Sequence, residues 1–290
     1  MAKIDKYSIQ DLKRDFPNEE ACLALIFDTL HSRKCSCGGE YKQIKGRKQF
    51  QCGKCRFQIA PASTTIFHKS DTPLSLWFHA IFIFSNAKSG ISAKELERQL
   101  GVTYKCAWRI LSMIRKALKQ NDGQLLGTVE MDSAYFGGKG DAGENNKNLS
   151  EVIAKKSVVT AAVRRGKYGE IRAKVGQNVS ADALEKFVKE HIARGGRLMT
   201  DNAKGYRRLD KYSLSSVDHG RNEFARGDVH INTIEGWFGH VKRSMKGTFK
   251  SVSKKHLQSY LDAFVFHYNN RHNDKARFGV LLGALLQPAK

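Results

Sequence analysis

The sequence predicts an α/β domain in the C-terminal half of the chain, behind a cysteine-rich ribbon and a helix-turn-helix. Three observations predict it. Strand-like and helix-like patterns alternate beyond the polar break at Asn121–Gln124, four of the six cysteines fall between Cys35 and Cys55, and two amphipathic stretches flank Gly101.

At the N-terminus, residues 8–31 place Leu12, Phe16, Leu23, Ile26 and Leu30 at helical spacing, broken near Pro17, which predicts a short helix pair. Residues 33–60 are rich in Cys, Gly and Lys, with short strands expected at 40–44, 49–51 and 57–60. An apolar helix is expected over 74–87, around Trp77, Phe78, Ile81 and Phe84. In 91–118, Ser92 and Glu95 fit a capping box, Gly101 lies in a turn, and Thr103 opens a second amphipathic helix.

Beyond the break, strands are expected at 126–135, 157–164, 170–175 and 197–200, and helices at 180–194, 203–209, 232–245 and 254–270. The run 137–148 reads as a mobile loop. The chain thus divides into an N-terminal helical segment (1–32), a cysteine-rich ribbon (33–62), a helix-turn-helix (70–120), a large α/β domain (125–275) and a C-terminal tail (276–290).

Composition narrows the partners. Of 290 residues, 50 are Lys or Arg against 28 Asp or Glu, a net charge of +22. No fold requires that excess, and it reads as a surface for polyphosphate, usually nucleic acid. Basic residues are spread along the chain rather than gathered on one amphipathic helix, which argues against a membrane surface. The opening MAKIDKYSIQ is too charged for a signal peptide, and Leu76–Phe84 is far shorter than a membrane span. A cytoplasmic, DNA-associated protein is expected. In a reducing compartment, clustered cysteines point to metal rather than to disulfides.

Cys35 and Cys37, then Cys52 and Cys55, form C-x-C and C-x-x-C pairs, each at a glycine-containing turn. Two such turns facing each other offer four thiolates in a tetrahedron, the preference of one structural Zn²⁺. The first pair is one residue short of the usual spacing. Cys22 and Cys106 sit on apolar helical faces and are expected in the core. In the helix-turn-helix the second helix would enter the major groove, with Tyr104, Lys105 and Arg109 near its exposed start and Arg115, Lys116 and Lys119 placed for phosphate.

Three acidic residues carry the chemistry. Asp132 lies in VEMDSAYFGGK, Asp201 in LMTDNAKGY and Glu235 in NTIEGWFGHVKRSMKGTF, each where a strand ends or a helix begins. An aspartate in an otherwise apolar strand is costly to bury unless it is paired or holds a metal. Three carboxylates brought together can hold two divalent ions about 3.5–4 Å apart, an arrangement suited to in-line displacement at phosphorus. Lys242, two helical turns beyond Glu235, would reach a bound phosphate.

On VEMDSAYFGGK, TDNAKGY, DVHINTIEGWFGHVKRSMKGTF and FVFHYNNR, the chain resembles the DDE transposases of bacterial insertion sequences, those with an ISXO-type catalytic domain behind a zinc ribbon and helix-turn-helix. The resemblance spans roughly residues 20–275. It implies a ribonuclease-H-like domain, a mixed sheet with helices on both faces, whose carboxylates bind two Mg²⁺ or Mn²⁺ ions. It maps the catalytic and metal-binding triad onto Asp132, Asp201 and Glu235, and the basic residue onto Lys242. It also implies double-stranded DNA partners, both element ends and target, and at least a dimer.

Two positions stay open at this point. Ser133 stands where the pattern often has an acid directly after the first aspartate, and Asn232 competes with Glu235 as third ligand, or serves as helix cap or outer-shell ligand. Glu130 shares the strand face of Asp132 and reads as an accessory or surface group, and Arg271 as a possible phosphate contact near a helix end. The rival reading is a zinc-ribbon and helix-turn-helix DNA-binding regulator with an inert or purely nucleolytic ribonuclease-H-like domain.

Overall fold

The computed structural model describes residues 6–118, 120, 123–137, 156–201, 205–206, 209, 212–221 and 223–287. It divides into two compact units, 1–118 with 273–290, and 119–272. The loop expected at 137–148 lies, after Gly137, outside the described residues, as do Lys119 and most of the helix expected at 203–209.

In the first unit, α1 (Ile9–Asp15) starts at a capping box between Ser8 and Asp11, and α2 (Glu19–Leu30) at Asn18, whose side chain accepts the Ala21 N–H. Pro17 separates them, as the broken periodicity predicts. Three short antiparallel strands follow in sequential order: β1 (Tyr41–Gln43), β2 (Phe50–Cys52) and β3 (Gln58–Ile59). They pack on α2 through Phe27, which stacks on Phe50 at 4.0 Å between ring centroids. Helix α3 (Leu74–Asn86) buries Trp77, Phe78, Ile81 and Phe84. Helices α4 (Ala93–Leu100) and α5 (Tyr104–Ala117) form the helix-turn-helix. Ser92 and Thr103 cap them through the N–H groups of Glu95 and Cys106, and Gly101 turns the chain at φ +66°, a left-handed conformation that favours glycine.

The second unit is built on a five-stranded mixed sheet. Its strands are β4 (Thr128–Phe136), β5 (Ser157–Arg164), β6 (Ile171–Gly176), β7 (Arg197–Asp201) and β8 (Ser213–Val217), in spatial order β6-β5-β4-β7-β8. Strands β4, β5 and β6 form an antiparallel meander, while β7 and β8 run parallel to β4. One face is covered by α6 (Ala181–His191), with Leu184, Phe187 and Val188 packed near Val129, Met131 and Leu198. A two-stranded hairpin, β9 (Ala225–Arg226) and β10 (Val229–His230), leads into α7 (Asn232–Ser244). This helix and α8 (Leu257–Asn269) cover the opposite face, where Ile234, Trp237, Val241, Leu261 and Phe264 pack near Ala134, Phe136 and Ala161. A mixed sheet with helices on both faces is the arrangement that the resemblance implies.

The last helix, α9 (Arg277–Leu286), belongs to the first unit. Residues 276–290 read as a tail from sequence, yet this segment is a buried element. Phe278 sits among Tyr7, Phe16, Phe78 and Phe82, and Leu281, Leu282, Leu285 and Leu286 are buried. Arg277 is buried with them, donating to the Ser85 carbonyl and pairing with Asp274.

Candidate active site

The sheet register accounts for the first two carboxylates. β4 and β7 are parallel, with Val129 opposite Leu198 and Glu130 opposite Met199, so two residues further on Asp132 and Asp201 stand level. In parallel neighbours, opposed residues point to the same face. Met199 belongs to the core under α7, so both aspartates lie on the α7 side of the sheet, with Glu130, Ala134 and Phe136. Glu235 is in the first turn of α7, beside the anchors Ile234 and Trp237. Lys242 is exposed further along the same helix, its Nζ 5.9 Å from the Phe136 ring centroid.

The electrostatics tie these four side chains together. Burial pushes the Asp132 carboxyl up to about 6; its hydrogen bond from the Ser133 N–H opposes the rise, the charges of Asp201 and Glu235 add to it, and Lys242 offsets it. That bond, 2.6 Å to Oδ1, leaves the other carboxylate oxygen for another partner. Such a grouping of half-buried like charges fits a site for divalent cations. Among the described residues, only the four cysteines bring three or more ligand atoms within 4.8 Å of one another. Asp132, Asp201 and Glu235 are not gathered that tightly.

The ISXO2-like transposase domain family matches residues 124–269, half of the chain and nearly the whole of the second unit. The chain belongs to the ISXO2-like transposase family. A protein of Halobacterium salinarum described as an uncharacterized protein in transposable element ISH50 is 25% identical over 246 residues, which cover 79% of this chain and 82% of that protein. Two solved structures, a pre-cleavage Mos1 transpososome and the Mos1 strand transfer complex, align over 73% of this chain and 80% and 79% of theirs. Each is 10% identical with a TM-score of 0.25, a likeness too slight to bear on this protein.

Within the ISXO2-like domain, Ser133 and Asn232, the two positions left open by sequence, lie in different settings. Ser133 projects from β4 to the face opposite Asp132, where its hydroxyl meets Thr160 Oγ1 at 3.0 Å. Its side chain is a sheet contact on that face, while its backbone N–H donates to Asp132. Asn232 is exposed as the first residue of α7; the cap position is Ile231, and the helix has no side-chain cap of its own. The charge of Glu235 adds to the rise of the Asp132 carboxyl.

Glu130 departs furthest from its expected role as an accessory or surface group. It is 0% exposed. One oxygen accepts from Arg165 Nε at 2.6 Å and Thr233 Oγ1 at 2.9 Å; the other accepts the N–H groups of Thr233 and Ile234 at 2.8 and 3.1 Å. The missing cap of α7 is therefore a carboxylate from the strand that carries Asp132. Sequence offered the period-two spacing of Glu130 and Asp132 but not the helix end waiting above it.

The expected DNA contacts divide. Lys105 is exposed at the start of α5, beside Tyr104 and Trp108, which are 51% and 43% exposed. Trp108 went unnoticed in the sequence, although it lies one helical turn from Tyr104. Arg115 is only 5% exposed, because it sits one turn beyond the buried Leu111 on the apolar side of α5, and so cannot reach a phosphate from that position. The Arg109 guanidinium is turned inward, donating to Ser70 Oγ at 2.9 Å and Thr72 Oγ1 at 3.2 Å. Arg271 is also committed internally: it donates to the carbonyls of Gly169, Tyr268 and Lys167 and stacks 3.9 Å above the Tyr268 ring, closing the β5–β6 turn.

The cysteine set forms a second centre. Cys35 and Cys55 sulfurs lie 3.6 Å apart, and Cys37 and Cys52 sulfurs 3.5 Å. Four sulfurs at about 2.3 Å around a tetrahedral Zn²⁺ would be about 3.8 Å apart. The short C-x-C spacing is accommodated because Gly39 lets the chain pass closely; a Cβ there would meet Cys52 Sγ at 2.6 Å. The donor set and its size fit a zinc ribbon. Cys22, expected in the core, is fully buried in α2; Cys106 is half-buried, 3.4 Å from Thr72 Oγ1.

Proposed function

We propose that the protein is an insertion-sequence transposase that cleaves DNA at terminal inverted repeats and joins the freed ends to target DNA. The observation carrying this is the convergence of Asp132, Asp201 and Glu235 on the α7 face of the sheet, with Lys242 beside them. When bound, two Mg²⁺ or Mn²⁺ ions supply Lewis acidity on both sides of the reacting phosphorus. Asp132, level with Asp201 on the neighbouring strand, would hold these ions together with Asp201 and Glu235. Lys242 holds a phosphate oxygen of the DNA. Asn232, exposed at the start of α7, remains a candidate outer ligand.

The chemistry balances without a protein nucleophile. In the first step a water oxygen forms a bond to phosphorus and gives one proton to solvent, while the bond to the 3′-oxygen breaks and that oxygen takes up a proton to become a 3′-hydroxyl. In the second, the freed 3′-hydroxyl loses its proton as its oxygen bonds to a target phosphorus, and the displaced target 3′-oxygen takes up a proton. One phosphodiester is lost as another forms, so strand transfer needs no external energy source. Positioning and charge supply the catalysis.

The zinc ribbon, with one Zn²⁺ on Cys35, Cys37, Cys52 and Cys55, and the helix-turn-helix through Lys105 are proposed to hold double-stranded DNA at the element ends. Pairing two ends calls for at least a dimer. No described helix is long and apolar enough to cross a membrane, and a cytoplasmic location is proposed with DNA as the partner. The deciding experiment incubates the purified protein with labelled element-end DNA, target plasmid and Mn²⁺. Joined products from wild type and none from Asp132→Asn support a transposase. Cleavage without joining points to a nuclease, and DNA binding with neither reaction points to a regulator.

A further inference from the structure

Glu130 is a buried carboxylate that the proposed chemistry does not use, and its surroundings are too complete to be incidental. It takes two backbone N–H groups and a hydroxyl from the first turn of α7, and a guanidinium from Arg165. Arg165 in turn donates to the carbonyls of Asp228 and His230, both at 2.6 Å. The His230 ring stands beside the same carboxylate, with Nδ1 3.4 Å from Oε1. Four pieces of the second unit thus meet on one side chain: β4, the end of β5, the β9–β10 hairpin and the start of α7.

The consequence is geometric. Asp132 lies two residues beyond Glu130 on a paired strand, so the two side chains leave the same face about 7 Å apart. Glu235 lies two residues beyond Thr233 on a rigid helix. A buried charge needs full pairing, and a helix N-terminus with four unpaired N–H groups and a partial positive charge needs an acceptor. Each meets the other's need at one place only. The helix can therefore neither slide along its axis nor rotate without stranding a buried charge.

We propose that Glu130 is a positioning residue of the metal site: by capping α7 from the strand of Asp132, it fixes where Glu235 and Lys242 stand relative to the two aspartates. The inference rests on the assignment of the three carboxylates as metal ligands, and no direct contact between Glu130 and metal or DNA is involved.

The test uses the full chain with labelled end DNA and compares wild type, Glu130→Gln and Asp132→Asn. Three quantities are read: bound Mn²⁺ by the loss of the free-ion EPR signal, the Mn²⁺ concentration for half-maximal cleavage, and the cleavage rate at saturating Mn²⁺. Groups behind a metal's direct ligands typically change affinity by about 10–100-fold. Folded Glu130→Gln should accordingly need about tenfold more Mn²⁺ by both binding and cleavage, with a smaller loss of rate at saturation. Wild-type Mn²⁺ binding and half-saturation in folded Glu130→Gln, with Asp132→Asn inactive, overturn the positioning role alone. Wild-type cleavage by Asp132→Asn overturns the ligand assignment and the positioning role with it. If Glu130→Gln does not fold, Thr233→Ala and Thr233→Ser decide. A raised Mn²⁺ requirement in the alanine variant, restored by serine, supports the role, and wild-type values in both overturn it.

Discussion

Glu19 accepts the backbone N–H of Leu74 at 2.7 Å, across 55 residues of chain, and its other oxygen takes the N–H of Ser75 at 2.6 Å. Helix α3 begins after Pro73 and has no side-chain cap nearby in sequence. Helix α7 begins after Ile231 and has none either. In both, a distant carboxylate supplies the missing acceptor, Glu19 for the first unit and Glu130 for the second. The physical demand is the same, since the first turn of a helix presents unpaired donors at its positive end.

For Glu19 this predicts an acid-sensitive contribution to stability. Burial raises its pKa, but the hydrogen bonds from Ser75 and Leu74 and the charge of Lys48 outweigh that and hold it below the ordinary value. A depressed carboxyl pKa means stability present above the unfolded value, about 4.3, and lost as pH falls through the folded one. Glu19→Gln should therefore lower stability by about 1 kcal/mol near neutral pH, the usual scale of a lost cap. The gap from wild type should close on acidification. Thermal unfolding of both proteins between pH 3 and pH 7 checks this; a gap that widens in acid contradicts it.

For the cysteine cluster, elemental analysis of the purified protein should find about one zinc per chain. Cys52→Ser should lose that zinc and the ordered ribbon, because so short a sheet depends on metal for its folding energy. Mn²⁺ binding at the carboxylates should be unchanged. Full zinc content in the variant would remove Cys52 from the ligand set.

For the triad, Asp132→Asn and Asp201→Asn should each lower strand cleavage by at least about 10²-fold, the scale of losing one group that stabilises developing charge. End-DNA affinity should change little. A gel-shift titration run beside the cleavage assay separates the two effects, and a parallel loss of binding and cleavage would point to unfolding instead.

Arg271 and Lys242 should behave oppositely, although both are cations of the second unit. Arg271→Ala should lower thermal stability by about 1–3 kcal/mol, since it strands three carbonyls that now accept from it. Its DNA binding should keep the wild-type salt dependence. Lys242→Ala should leave the melting temperature nearly unchanged. The slope of log affinity against log salt should become shallower by about one for a lost phosphate contact. Affinity measured from 50 to 200 mM salt distinguishes them; equal slopes for wild type and Lys242→Ala would show that this lysine touches no phosphate.

The sequence by itself determined what local rules encode. The order of elements, the helix-turn-helix with Ser92, Gly101 and Thr103 at its corners, and the strands around Asp132 and Asp201 followed from periodicity and turn chemistry, which act within a few residues. Clustering of the cysteines followed from their spacing. Residues 276–290 read as a tail, and the place of Phe278 beside Phe16 and Phe78 was not legible, because no local pattern says which unit a segment about 200 residues later will join. The β8 strand escaped notice because its serine-rich sequence, Ser213–Val217, lacks an apolar alternation.

Only the tertiary structure decided which charges are spent inside the molecule. Arg109, Arg115 and Arg271 look alike in sequence to Lys105 and Lys242, but the first three are drawn into carbonyls, hydroxyls or the core. Glu130 read as an accessory or surface group two residues from Asp132, and caps the helix that carries Glu235. The reason is that a side chain's type fixes how many hydrogen bonds it must make, whereas the fold alone fixes where the partners are.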